Sequence, residues 1–269
     1  MSAAARIAPG KFVALAAAVS LLATTASAQP LPPIVTQPDE AQMRLIPAGP
    51  FIYGIDQNAI KALLRTLKAG WADIYASEHR RQKKTLPAFY IDRYEVSNES
   101  YNRFVKATKY PRPSRFLRYP QLNGPKQPVV GIGWQDAEAY CKWSGKRLPS
   151  EEEWEKAARG TDGRNWPWGN EPDLRRFNGK AVDYGAPYAV GGYPAGDSPY
   201  GVADMAGNVW EMTSSNWKGT AKAIRGGSFL NRLADVRVTV RWSAKDEVRG
   251  ANWLGFRCAM DADRQALKP

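Results

Sequence analysis

The chain has 269 residues, 43% hydrophobic and 11% aromatic, which is enough to bury one large core or two small ones. Its 38 basic residues against 26 acidic give a net charge of +12, which favours acidic partners such as anionic lipid head groups, cell-wall polymers or an acidic protein, or else simply aids solubility. With one histidine, His79, and two cysteines, Cys141 and Cys258, a three-histidine iron centre is excluded, a zinc site built on the thiolates would be short of ligands and is the weaker reading of the cysteines, and a Ser-His-Asp triad could draw only on His79.

Met1 to Lys11 carries Arg6 and Lys11 without an acid, Phe12 to Ala23 is apolar, and Ala26-Ser27-Ala28 has the small-x-small form of a signal-peptidase site. The apolar run is too short to span a membrane, so residues 1–28 read as a cleaved export signal and the destination as periplasmic or secreted. Cleavage leaves 36 basic residues against 26 acidic, a charge of +10, and no transmembrane segment. Export and the absence of a P-loop, zinc-finger or RNA-binding signature argue against nucleic acid. In an oxidising compartment two isolated cysteines are most economically one disulfide.

Residues 29–41 are Pro-rich, lack an amphipathic period and read as an extended linker. A domain over 42–262 and a tail over 263–269 follow. MRLIPAGPFIYGI, from Met43, alternates and turns at Pro47 to Gly49, a strand–turn signal. Ile60, Leu63, Leu64 and Leu67 fall at helical spacing between Lys61, Arg65 and Lys68, predicting a basic amphipathic helix that packs on the domain or else meets a membrane or a partner. The run from Glu78 to Lys84 reads as a solvated loop. A strand is expected over Ala88 to Tyr94, and then a helix capped by Ser97 that shows Tyr101, Phe104 and Val105 on one face. A further helix places Trp134, Ala137, Cys141 and Ser144 on one side. In LPSEEEWEKAARG, Ser150 and Glu153 form a capping box, Trp154, Ala157 and Ala158 the buried stripe, and Gly160 the stop. Acids at a helix N-terminus are expected from the macrodipole, so Glu151 to Glu153 carry no chemistry on that ground.

MRLIPAGPFIYG, FYIDRYEVSNESYNRFV, QPVVGIGWQDAEAYCKWSGKRLPSEEEWEKAARG, WPWGN, YGVADMAGNVWEMTSSN, RGGSF and NWLGFRCAMD stand in this order from about residue 42 to 262. Together they resemble the sulfatase-modifying-factor or formylglycine-generating-enzyme family. The resemblance implies a mixed α/β (α+β) domain with little regular secondary structure, distantly similar in topology to C-type lectin domains. Family members bridge the cysteines of AYC and GFRC, here Cys141 and Cys258.

In formylglycine-generating enzymes two cysteines after the RGGS turn hold copper(I), a soft ion that needs thiolate. Here no cysteine lies between Ser228 and Arg257, and Asn231 falls at the first cysteine in ungapped register, so no copper is expected. The implied pocket keeps Trp210, Ser228, Asn231, Arg232, Arg237 and Arg241. Its arginines either grip a carboxylate or phosphate, with Trp210 as a stacking face, or pair with Asp235, Asp246, Glu247 or backbone carbonyls and brace the fold. The resemblance also implies structural calcium at Asp204, Gly207, Val209 and Glu211, with a second site near Asn178, Gly179 and Asp183. Two readings stand: an exported accessory or binding module for a peptide, glycan or partner protein, or an oxidative maturation enzyme of the pyoverdine type that works without the cysteine pair.

Overall fold

Phe89, Tyr90, Ile91 and Asp92 are all buried, the pattern of a strand covered on both faces, and in the computed structural model they form the centre of a sheet. The structure describes residues 34–36, 39–67, 75–112, 120–182, 184–244 and 251–265. The segment read as an export signal, Asp183, Asp246 and Glu247 lie outside them. β1 (Ile34–Thr36), β2 (Gln42–Ile46), β5 (Phe89–Asp92) and β10 (Ala259–Asp261) pair antiparallel in the order β1-β2-β5-β10. On one face Tyr90 packs with Met43 and Met260; on the other Phe89 and Ile91 pack against Trp154, Ala157 and Ala158 of helix α4 (Glu151–Arg159).

Two expectations are corrected here. Ile34–Thr36 pairs with Gln42, Met43 and Arg44, so the Pro-rich segment is not a free tether. Asp39 beside it is buried, where it accepts hydrogen bonds from Tyr140 at 2.9 Å and Lys146 at 3.0 Å. The run from Glu78 to Lys84 is not a solvated loop either. Glu78 is buried against Arg237, and Gln82 to Lys84 enter β4 (Gln82–Leu86), which pairs with β3 (Gly49–Tyr53).

The helices form where periodicity and caps place them. α1 (Gln57–Thr66) starts at Asp56, whose carboxylate accepts from the N–H groups of Asn58 and Ala59. α2 (Asn98–Thr108) is capped by Ser97 and buries Tyr101 and Phe104. α3 (Trp134–Trp143) turns Ala137, Tyr140 and Cys141 inward, and Cys141 is disulfide-bonded to Cys258 with Cα atoms 5.7 Å apart. α4 has the expected Ser150–Glu153 capping box. The second four-stranded sheet runs β8 (Arg241–Ala244), β7 (Lys222–Arg225), β6 (Trp210–Asn216), β9 (Leu254–Gly255), with β6 and β9 parallel. Long irregular segments link these short elements, so the fold is α+β with limited regular structure. No helix among the described residues is long and apolar enough to cross a membrane.

α4 is wedged between the sheets, so Glu151, Glu153 and Glu155 are buried too. Glu155 accepts from Gly54 N, Arg159 and Arg225. Glu151 accepts from Arg241, lies 3.8 Å from Arg225 and lies 3.9 Å from the ring of His79. Burial opposes its ionisation, but His79, Arg241 and Arg225 outweigh it and hold the carboxyl at about 2. Glu151 therefore stabilises the fold above its ordinary value of 4.5, and that contribution, roughly 3 kcal/mol, is lost as the pH falls towards 2. Urea unfolding should find Glu151→Gln less stable than wild type at pH 7, with the gap narrowing as the pH falls below about 4.5. A gap that stays constant with pH would remove the charge of Glu151 from the account.

Candidate functional site

β7 ends at Arg225, and Gly226 and Gly227 follow with φ of +95° and +74°. A Cβ on Gly227 would meet Val236 at 2.7 Å and the Asp235 carbonyl at 3.0 Å, so this turn is held against the short helix Leu233–Val236. The turn delivers Ser228 to Asn231. Oδ1 of Asn231 accepts from Ser228 N at 2.9 Å, Ser228 Oγ at 2.9 Å and Trp210 Nε1 at 3.1 Å. All three residues are buried. The Asn231 amide oxygen thus ties the turn to Trp210, the first residue of β6.

The structure does not bring the expected arginines together around an open pocket with them. Arg237 is fully buried, forms a two-point pair with Glu78 and donates Nε to the Ala234 carbonyl at 3.0 Å. Arg241 grips Glu151 and stacks over Trp217, 4.2 Å from the ring centre. Arg232 is exposed, and its N–H donates to Asp235. The guanidinium groups of Arg237 and Arg241 brace the fold, with Glu78 and Glu151 as their partners. Burial denies Arg237 to any ligand, and Glu151 already fills the fork of Arg241.

The residues matched to calcium sites divide on chemical fit. Glu211 accepts Arg257 Nε at 2.6 Å, Arg257 Nη2 at 2.7 Å and Trp154 Nε1 at 2.8 Å. Its charge is matched by a buried guanidinium that a divalent ion would oppose, so Glu211 as placed does not fit a calcium ligand. Asp204, at φ +56°, accepts from Gly191 N at 2.6 Å. The N–H groups of Gly207 and Val209 go to Gly226 O and Glu95. Asn178 differs. Its amide nitrogen donates to Ala186 O and Asn208 Oδ1, while its own Oδ1 is buried without a hydrogen-bond partner, the kind of oxygen a hard cation takes. Gly179 is adjacent, and a Cβ there would run into the Phe177 ring.

Several residues central to this region carried no sequence signal. Glu95 is buried, accepts from Asn208 Nδ2 and Val209 N, and is pushed well above the carboxylate range by burial and by Asp204 and Glu211. Burial likewise pushes Asp204 up to about 6. Arg257 also donates to the carbonyls of Asp92, Arg93 and Ala203. Its place between Phe256 and Cys258, both buried, was the one available hint.

Comparison with known proteins agrees with this geometry. The family model of the Sulfatase-modifying factor enzyme 1-like domain matches residues 28–262. The chain is 31% identical to the mouse (Mus musculus) Inactive C-alpha-formylglycine-generating enzyme 2, over 84% of this chain and 87% of that one. It is 32% identical to the Formylglycine-generating enzyme of Thermomonospora curvata, over 65% of this chain and 83% of that one. Among solved structures, PvdO from Pseudomonas aeruginosa superposes with a TM-score of 0.69 at 25% identity, covering 87% of this chain and 100% of that one. The chain thus belongs to the sulfatase-modifying factor enzyme 1-like family.

Proposed function

We propose that the protein is an exported member of this family that does not make formylglycine and serves as an accessory or binding module for a peptide, glycan or partner protein, with acidic partners favoured by its basic surface. The observation that carries this reading is the fate of the thiols. The chain has two cysteines, both spent in the Cys141–Cys258 disulfide, and the aligned position holds Asn231, whose oxygen is committed to Trp210 and Ser228. A copper(I) centre needs thiolates that this chain does not supply. The likeness to the mouse protein named inactive supports the same reading. The likeness to PvdO supports a second one, a maturation oxidation that uses the fold without a cysteine pair.

Purified protein incubated with copper(I), oxygen and a peptide carrying Cys-x-Pro-x-Arg should yield no aldehyde by mass spectrometry, while a formylglycine-generating enzyme run in parallel converts it. Turnover that survives repurification would overturn the proposal. If Asn231 is a tie, Asn231→Ala leaves three buried donors unpaired and should cost on the order of 2–4 kcal/mol in urea unfolding. A loss below about 0.5 kcal/mol would return Asn231 to the list of ligand-binding residues.

Calcium belongs to the same proposal, with the orphaned Oδ1 of Asn178 as the ligand that fits. The ion's part would be structural. Chelation should lower the melting temperature of the wild type and leave that of Asn178→Ala unchanged. Glu211→Gln, which strands Arg257, should lose about 3–5 kcal/mol with or without chelator. A wild type indifferent to chelator would dispose of the ion.

A further inference from the structure

A cleft of about 770 Å³ opens beside β3 and β4, away from the RGGS turn, and none of its lining residues is acidic. Lys156 of α4, which is buried, is among the residues that line it. The ammonium donates to the carbonyls of Pro47 at 2.6 Å and Gly49 at 3.0 Å and sits 5.9 Å from the centre of the Phe51 ring. An ammonium has three N–H donors, so one is left after these two bonds. Among the described residues Lys156 forms no ion pair, whereas the buried arginines 159, 225, 237 and 257 each have a glutamate. A buried cation held only by carbonyl dipoles is costly unless an anion reaches it, and burial accordingly lowers the Lys156 pKa. Arg81 and Lys83, both exposed, stand at the same cleft, and neither makes an ion pair among the described residues. Asp56, which feels the Arg81 charge, already caps α1. Pro50, Phe51 and Tyr200 supply apolar wall, and the volume lies in the range of small-molecule sites.

We propose that this cleft binds a small amphiphilic anion, one anionic head group on a ring-sized apolar body, with the head between Lys156, Arg81 and Lys83 and the body against Phe51, Pro50 and Tyr200. The three positive charges select the head, and the aromatic wall selects the body. The proposal stands apart from the reading of the RGGS region and survives its failure.

Calorimetric titration of the full mature chain with 4-phenylbutyrate, 4-phenylbutan-1-ol and inorganic phosphate tests it. The carboxylate should bind at least tenfold more tightly than the alcohol, and phosphate should displace it only weakly. Lys156→Met should weaken phenylbutyrate at least tenfold. Because that change also frees two buried carbonyls, the surface variant Arg81→Gln/Lys83→Gln provides a second reading that leaves the interior untouched; it should weaken binding several-fold and flatten its dependence on salt. Equal binding of acid and alcohol, phosphate competing as well as phenylbutyrate, an unchanged affinity in the surface variant, or no binding at millimolar probe would each overturn the proposal.

Discussion

The fold depends on buried guanidinium groups that satisfy irregular backbone. Most strands here are three to five residues long, and long stretches between the strands and helices are irregular yet run through the interior. Their carbonyls need donors that secondary structure does not provide. Arg159 serves Ile52, Gly54, Gly163 and Arg164; Arg225 serves Thr239 and Val240; Arg257 serves Asp92, Arg93 and Ala203. A planar fork with five N–H groups can bond several carbonyls from different loops and a carboxylate at once, whereas an ammonium has three donors.

Each such cation requires an anion, because an uncompensated buried charge costs more than the hydrogen bonds return. The acids come from elements already fixed by packing: Glu155 from α4, Glu211 from β6, and Glu78 from the segment before β4. Glu155 pairs with two arginines, one of which also lies 3.8 Å from Glu151, and accepts the N–H of Gly54 besides, so one side chain ties β3, α4 and β7 together. Replacing such a pair by apolar residues can be nearly neutral, whereas deleting one partner is severe. The network thus fixes the arrangement of loops more than it raises stability, and it keeps the RGGS turn, Asn231 and Trp210 in place whether or not a thiolate stands nearby.

What the sequence makes legible follows from range. Helix caps and amphipathic stripes act over three or four residues, so Ser97, the Ser150–Glu153 box and the stripe Trp154, Ala157 and Ala158 are readable by eye. The Cys141–Cys258 bridge is legible from the count of cysteines, since two have one pairing. The pairs Glu78–Arg237 and Glu211–Arg257 are separated by 159 and 46 residues, and no local pattern reports them. Hence a charged run reads as solvated although Glu78 within it is buried. For the same reason the segment around Glu211 suggests calcium by resemblance while its carboxylate is turned to a guanidinium. Strand β1 escapes notice because its pairing depends on β2 and not on any alternation of its own.

Charge neutrality inside has a consequence outside. Because the buried arginines are matched by buried glutamates, the excess of cations over acids is borne by exposed groups such as Arg81, Lys83, Arg175 and Arg232. Arg175 is drawn to Asp173 on the surface, where solvent makes such a pair weak. Exposed cations of this kind raise the local concentration of anions without selecting among them. Selection needs a cation partly withdrawn from water and a surface that recognises shape. Lys156 is the buried cation without a carboxylate in the interior just described, and it lies at an apolar wall open to solvent. In a structure that otherwise pairs its buried charges, that departure is where the electrostatics leave room for a ligand.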